Sequence, residues 1–225
     1  MPASLGTICV LIEAHFDETE YLRFNELFPA LGYGVEYVSH LWGNDELVFT
    51  GNDGVNQVTV SKEVTDTDPE DYAGIILIGG YAMDRLRYQE HPVEGEANRA
   101  PAVEFLRKAV KSMDAGRLKI GTICHSMWLF CAAGGLLEGR SVTCAHNITC
   151  DVENAGGTVV YDGNQTVDTH VEGGLISARH PGVVDEFLDV FIGELQKHKQ
   201  AGQLQRSQYG PLFQPGNKTK EGRSA

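Results

Sequence analysis

The side chains with the most chemistry to offer are a cysteine and a histidine standing side by side. They are Cys124 and His125, in "IGTICHSMWLFCAAGG" (residues 120–135). A short apolar run ends there and helical spacing begins, so the pair falls at a strand-to-helix turn. A nucleophile at such a turn is exposed by the tightness of the bend. The positive end of the following helix also favours thiolate over thiol. The backbone N–H of His125 would face the reacting centre, and another from Gly79-Gly80 would complete an oxyanion hole. Glycine at those positions lets the backbone approach a ligand closely. Against this stands the ordinary fate of a free cysteine, which is to be a small buried hydrophobe.

His125 works as a general base only if a third group orients its ring. Asp84 in "GGYAMDR" is a candidate for that role, and an exposed loop aspartate is the plainer alternative. Glu13, Asp17, Glu18 and Glu20 cluster in "EAHFDETE". Such clusters are commonly solvated first-turn charges that complement a helix dipole. A carboxyl lying against Cys124 would instead share a proton with the sulfur and be protonated, since two close anions repel.

These groups need elements to position them. "TICVLIEA" (Thr7 to Ala14) is short, β-branched and apolar, which marks a buried strand. From Glu18 to Leu31 the apolar residues Tyr21, Leu22, Phe24, Leu27, Phe28 and Leu31 recur at helical spacing, and Gly32 closes the run. "GVEYVS" follows as a strand, so the first forty residues read β-α-β. "NQVTVSKEV" alternates like an edge hairpin strand, and "YAGIILIGG" is a continuous apolar run. "PAVEFLRKAVKSM" (101–113) is an amphipathic helix with Pro101 in its first turn. "LKIGTIC" is the next buried strand, with a helix directly after it. "SVTCAH" is a further strand candidate. "GGTVVYDGNQTVDTHVEGGLISAR" reads as two or three strands, and Val183 to His198 as the last helix. Apolar strands alternating with helices imply a mostly parallel central sheet covered on both faces. Right-handed crossovers favour an α/β, flavodoxin-like doubly wound sandwich with a nucleophile elbow. In such sheets the site lies beyond the carboxyl ends of the strands, where the three motifs converge. One domain over 1–198 is expected, followed by a polar C-terminal tail (199–225) with Tyr209, Leu212 and Phe213 as its candidate docking residues.

The chain has 225 residues and a net charge of -13. An acidic chain without a basic block is a poor partner for nucleic acid or anionic membranes. No apolar run has the length of a membrane span, and "MPASLGTICVLIEA" has no secretory pattern. The cysteines Cys9, Cys124, Cys131, Cys144 and Cys150 are odd in number and lack a C-x-x-C, which argues for a reducing, cytoplasmic location. "CAHNITC" offers Cys144, His146 and Cys150, but its spacing matches no zinc pattern and supplies no fourth ligand. No metal and no cofactor are expected.

"GIILIGGYAMDRLR", "IGTICHSMWLFCAAGGLLEGRSVT", "NAGGTVVYDG" and "LISARHP" together resemble the ThiJ/PfpI family, also called the DJ-one superfamily, within the class I glutamine amidotransferase-like folds. The resemblance runs from about Thr7 to Leu195. It implies that Cys124 is the elbow cysteine and His125 its following histidine. "FDETE" is similar to an acidic motif of the family, which makes Glu20 the implied carboxyl partner of Cys124 and Asp17 the second choice. "GGYAMD" puts Asp84 where the peptidase branch has an acidic residue that reaches a neighbouring subunit's histidine. The resemblance therefore also implies a homodimer or higher homo-oligomer. Ser126 departs from the family's common glycine and would place a hydroxyl near the pocket.

The expected function is that of a Cys124-dependent enzyme acting on a small-molecule or peptide carbonyl or amide. Glyoxalase III or deglycase chemistry and amidase or peptidase chemistry are both open. A non-catalytic redox, stress-sensing or chaperone-like protein with an oxidisable Cys124 is the alternative class, and an isonitrile-hydratase-type lyase is another.

Overall fold

The computed structural model describes residues 5–208. In chain order the elements are β1 (Thr7–Leu11), α1 (Glu18–Ala30), β2 (Gly34–Val38), β3 (Leu47–Thr50), β4 (Gln57–Val60) and β5 (Gly74–Leu77). Then come α2 (Ala82–Leu86), α3 (Pro101–Asp114), β6 (Ile120–Ile123), α4 (Trp128–Ala132), β7 (Ser141–Val142) and α5 (Thr149–Asn154). The chain closes with β8 (Thr158–Val159), β9 (Tyr161–Asp162), β10 (Gln165–Thr166), β11 (Thr169–Glu172), β12 (Leu175–Ala178) and α6 (Val184–Gln208).

Six strands form the central sheet in the order β11-β12-β6-β5-β1-β2. All neighbours are parallel except β11, which closes one edge as an antiparallel hairpin with β12. The α/β, flavodoxin-like expectation is met. Every residue of β5, β6 and β12 is buried, which is why these strands read as unbroken apolar runs rather than alternating ones. α3 lays Val103, Phe105, Leu106, Ala109, Val110 and Met113 against the core. α6 covers the sheet with Phe187 and Phe191 so closely that a Cβ on Gly121 would fall 2.7 Å from the Phe187 ring. Strand order reverses between β1 and β5. The crevice beyond their carboxyl ends is where such sheets hold their ligands, and the loops after β1, β5 and β6 all open into it.

The segment from 156 to 179 contains five short strands instead of two or three. Two of them end in tight turns, β9 at Gly163 and β11 at Gly173. "SVTCAH" pairs only over Ser141–Val142, with β8, outside the main sheet. Past that point its backbone turns to other partners: Thr143 donates its N–H to the Ser177 hydroxyl and Ala145 donates to the Cys124 carbonyl. α6 continues to Gln208, beyond the polar composition change at Lys199. Gln, Lys, Ala, Leu and Arg are good helix formers whether or not they are apolar. Tyr209, Leu212 and Phe213 lie outside the described residues.

Candidate active site

β6 delivers Ile123 in extended backbone (φ -139°), and the next residue, Cys124, turns to φ +59°. Only two other non-glycine residues among those described, His15 and Trp42, have positive φ. A cysteine so held costs about 1–2 kcal/mol, which the surrounding structure must offset. A 3-10 turn, Cys124–Met127, follows before α4 begins. Ser126 stabilises this elbow from inside. Its fully buried hydroxyl accepts the Ile123 N–H at 2.8 Å. Ser126 therefore faces the bend and not the cleft, contrary to its expected place near the pocket.

Two backbone N–H groups and one imidazole nitrogen converge on the Cys124 sulfur. The backbone N–H groups of His125 and Gly80 reach it, and His125 Nδ1 lies 3.0 Å away. The residue is only 5% exposed. Burial, and after it the charge of Glu20, pushes the thiol pKa up; the two N–H groups oppose this. Of the two glycines, Gly80 is the one whose N–H is directed at the sulfur. It adopts φ +70° and pairs with Phe16 so tightly that a Cβ would lie 2.3 Å from the His15 carbonyl oxygen. Gly79 donates its N–H to Glu20 Oε2 at 2.6 Å, and its carbonyl accepts from Asp17.

The four carboxylates after β1 are not solvated charges. All are buried, and each has a separate task. Glu13 accepts from Arg85 at 2.9 Å and ties α2 to the end of β1. Glu18 accepts the N–H groups of Val55 and Asn56 and fixes the hairpin loop between β3 and β4. Asp17 caps α1 by accepting the Glu20 N–H at 3.0 Å. Glu20 is completely buried behind Gly79, and its Oε1 has no hydrogen-bond partner among the described residues. Burial holds the Glu20 carboxyl well above the usual carboxylate range. The charge of Asp17 adds to that, and the Gly79 N–H works against it. Asp17 is raised too, mainly by burial.

The His125 ring is half-buried in a cluster with Tyr81 and Trp128, at centroid distances of 5.9 and 5.0 Å, and those two rings lie 6.0 Å from each other. Trp128 is held in turn by a 2.9 Å hydrogen bond to Asp151. Burial lowers the His125 pKa. Asp84, on α2, is exposed and paired with Arg87 at 2.5 Å, and within the chain it does not reach His125. The group at His125 Nε2 is the Asn147 side chain, 3.0 Å away. Nothing in the sequence singles out Asn147, which lies inside the "CAHNITC" stretch. In that stretch Cys144 is buried whereas His146 and Cys150 are exposed.

The cleft over the sulfur has a volume of about 860 Å³, and its lining includes Asp17, Tyr81, Cys124, His125, His146 and His180. Glu20 lies beneath its floor. The site thus has a strained cysteine, donors around the sulfur, a buried carboxyl behind it and a carboxyl and imidazoles in front. This arrangement can stabilise an oxyanion formed next to the sulfur, whereas burial and Glu20 favour the thiol over the thiolate. Among the described residues, no helix is long and apolar enough to cross a membrane.

Relatives share this architecture. An uncharacterised protein of Staphylococcus haemolyticus is 27% identical over 189 residues, covering 84% of this chain and 97% of its own length. A counterpart in Staphylococcus aureus is 26% identical, with 84% of this chain and 98% of its own covered. Among solved structures, Drosophila melanogaster DJ-1beta superposes with a TM-score of 0.66 at 17% identity, over 88% of this chain and 97% of that one. A two-domain protein of Anabaena variabilis, with DJ-1/ThiJ/PfpI-like and ferritin-like domains, gives 0.71 at 20% identity, covering 84% of this chain and 48% of that one. The present chain therefore spans about half of that protein. The DJ-1/PfpI family model matches residues 6–194, nearly the whole described fold and every site residue named above, so the chain belongs to the DJ-1/PfpI family.

Proposed function

We propose that the protein is an enzyme in which the Cys124 thiolate adds to the carbonyl carbon of a small aldehyde, with 2-oxoaldehydes as the favoured class. The observation that carries this is the sulfur at φ +59° with the Gly80 and His125 N–H groups directed at it. Addition forms the C–S bond and places the charge on the former carbonyl oxygen, beside those donors. With a 2-oxoaldehyde, a proton then moves from the aldehyde carbon to the neighbouring carbon. This leaves a thioester of a 2-hydroxy acid, which water hydrolyses to the acid and free Cys124. Asp17 and His125 face the cleft and would move these protons. Glu20, beneath the sulfur, would keep the proton that lets Cys124 be the anion of the pair.

An amide nitrogen must leave with a proton from an imidazolium, and the group found at His125 Nε2 is the neutral Asn147 side chain, a partner that cysteine–histidine amide hydrolases also use. The amidase route is therefore kept as a second reading, and orientation by Asp84 of a neighbouring subunit, in a homo-oligomer, would strengthen it. An oxidisable Cys124 is a third reading, favoured by the same donors, which would also hold a sulfinate. A panel of methylglyoxal, glyoxal and peptide amides, run on wild type and Cys124→Ala, tests all three. Turnover of the aldehydes to hydroxy acids, lost in the variant, is expected. Cleavage of peptide amides alone would overturn the aldehyde reading, and peroxide oxidation without any turnover would replace it with the sensor.

A further inference from the structure

Asn147 has no role in the chemistry above, yet it is fixed with care. The loop carrying it is fastened to the elbow itself, because Ala145 donates its N–H to the Cys124 carbonyl at 3.2 Å. A 3-10 turn over His146–Ile148 then begins, closed by an Ile148 N–H to Ala145 carbonyl bond at 3.1 Å. That places the Asn147 amide 3.0 Å from His125 Nε2, while Nδ1 of the same ring lies 3.0 Å from the Cys124 sulfur. Both ring nitrogens are thus engaged within one chain, and the Tyr81 and Trp128 rings pack against the imidazole and against each other.

We infer that Asn147 is the positioning residue of a Cys124–His125–Asn147 relay, a neutral partner in the place where an acidic residue was expected. This rests on the reactive Cys124 of the proposed function. A neutral amide has a property that a carboxylate lacks. With its nitrogen toward the ring it donates to Nε2, and the imidazole proton sits on Nδ1, directed at the sulfur. Turned by half a revolution, its oxygen accepts an Nε2–H, and Nδ1 is left to take the thiol proton. The amide therefore holds the ring in place in either tautomer without trapping it as the cation. The titratable groups bearing on His125 are Cys124 beside it, Asp17 at the head of α1, His146 on the same turn as Asn147, and His180 before α6. Burial is the largest influence and opposes a charged ring, the Asn147 hydrogen bond favours it, His180 and His146 oppose it, and Asp17 favours it.

Asn147 is exposed, so substitution leaves the core untouched. Two readouts need no substrate. One is the His125 titration followed by NMR of its ring protons. The other is the rate of Cys124 alkylation by iodoacetamide, followed on the Cys124 peptide by mass spectrometry. Asn147→Asp is expected to raise the His125 pKa by about one unit, since it sets an opposite charge at hydrogen-bond distance. Asn147→Ala is expected to slow alkylation at neutral pH about fivefold, the worth of one ordinary hydrogen bond, and Asn147→Asp to restore it. A His125 titration that Asn147→Asp leaves unmoved would overturn the assignment, as would an unchanged alkylation rate in Asn147→Ala. So would an Asp84→Asn variant that moves both readouts when Asn147 changes do not. If the titration moves as stated while no aldehyde is turned over, the relay stands and the proposed reaction falls.

Discussion

Gly79 stands between the Glu20 carboxyl and the elbow, and replacing it with alanine probes that packing directly. The new methyl group would sit 2.5 Å from Glu20 Oε1, 3.0 Å from Oε2 and 3.1 Å from the Cys124 Cβ. Ordinary contact needs roughly 1 Å more than the shortest of these. Glu20 is fully buried and has no solvent to retreat into. Moving its carboxyl away lengthens the 2.6 Å bond from the Gly79 N–H. Overpacking costs about 1–3 kcal/mol, and a weakened bond to a buried carboxyl about 1–3 kcal/mol more. The sum of about 2–6 kcal/mol converts to a fall in Tm of roughly 4–24 °C for a chain of this size. Thermal unfolding by near-ultraviolet circular dichroism reads the Tm, and alkylation of Cys124 reads the elbow. Gly193→Ala is the matched control. It lies in α6, where a Cβ meets nothing within 4 Å, and it should stabilise by about 0.5–1 kcal/mol through helix propensity. If Gly79→Ala keeps its Tm within about 2 °C of wild type and alkylates normally, Glu20 does not pack against the elbow as described.

Glu20→Gln tests the state of the buried carboxyl. In the unfolded chain Glu titrates near 4.3, and in the folded protein it is raised by burial first and the charge of Asp17 second. Between the two values the folded state keeps a proton that the unfolded state releases. The Glu20 contribution is thus full below about pH 4.3 and is lost as pH rises towards the folded value, with a slope of at most about 1.4 kcal/mol per pH unit. Urea unfolding between about pH 5 and 8 should show this fall in wild type and a flatter profile in Glu20→Gln; identical slopes would mean Glu20 is ionised throughout. Ser126→Ala leaves the buried Ile123 N–H without its acceptor and should cost about 1–3 kcal/mol in chemical denaturation. A loss below about 0.5 kcal/mol would show that the hydroxyl does not hold the elbow.

The parts of the site that follow from backbone geometry were legible in the sequence. An apolar run passing into helical spacing at "TICHS" places Cys124 on a bend, and Gly79-Gly80 after "IILI" places a second backbone close by. Side-chain direction was less legible. Ser126 is next to His125 in sequence, but at a positive-φ bend its side chain turns inward to serve Ile123. In sequence the acidic cluster leaves both a solvated run and a carboxyl against Cys124 open, because burial comes from loops and helices distant in sequence, such as Arg85 and Asn56. Asp84 falls where the motif order suggests, yet Arg87, one helical turn on, occupies its carboxylate within the chain. Asn147 was invisible because its link to His125 spans 22 residues and depends on one backbone bond, Ala145 to Cys124. The short strands from β7 to β11 were blurred for a similar reason, since pairing over two to four residues leaves little periodic signal.

Covalent chemistry at Cys124 is tested most directly by kcat/KM for methylglyoxal in wild type and Cys124→Ala, with hydroxy acid formation measured as the product. Removing a nucleophile takes away the covalent route altogether, so a loss on the order of a thousandfold or more is predicted. A Cys124→Ala protein that retains activity within about tenfold of wild type would contradict a covalent role for the sulfur.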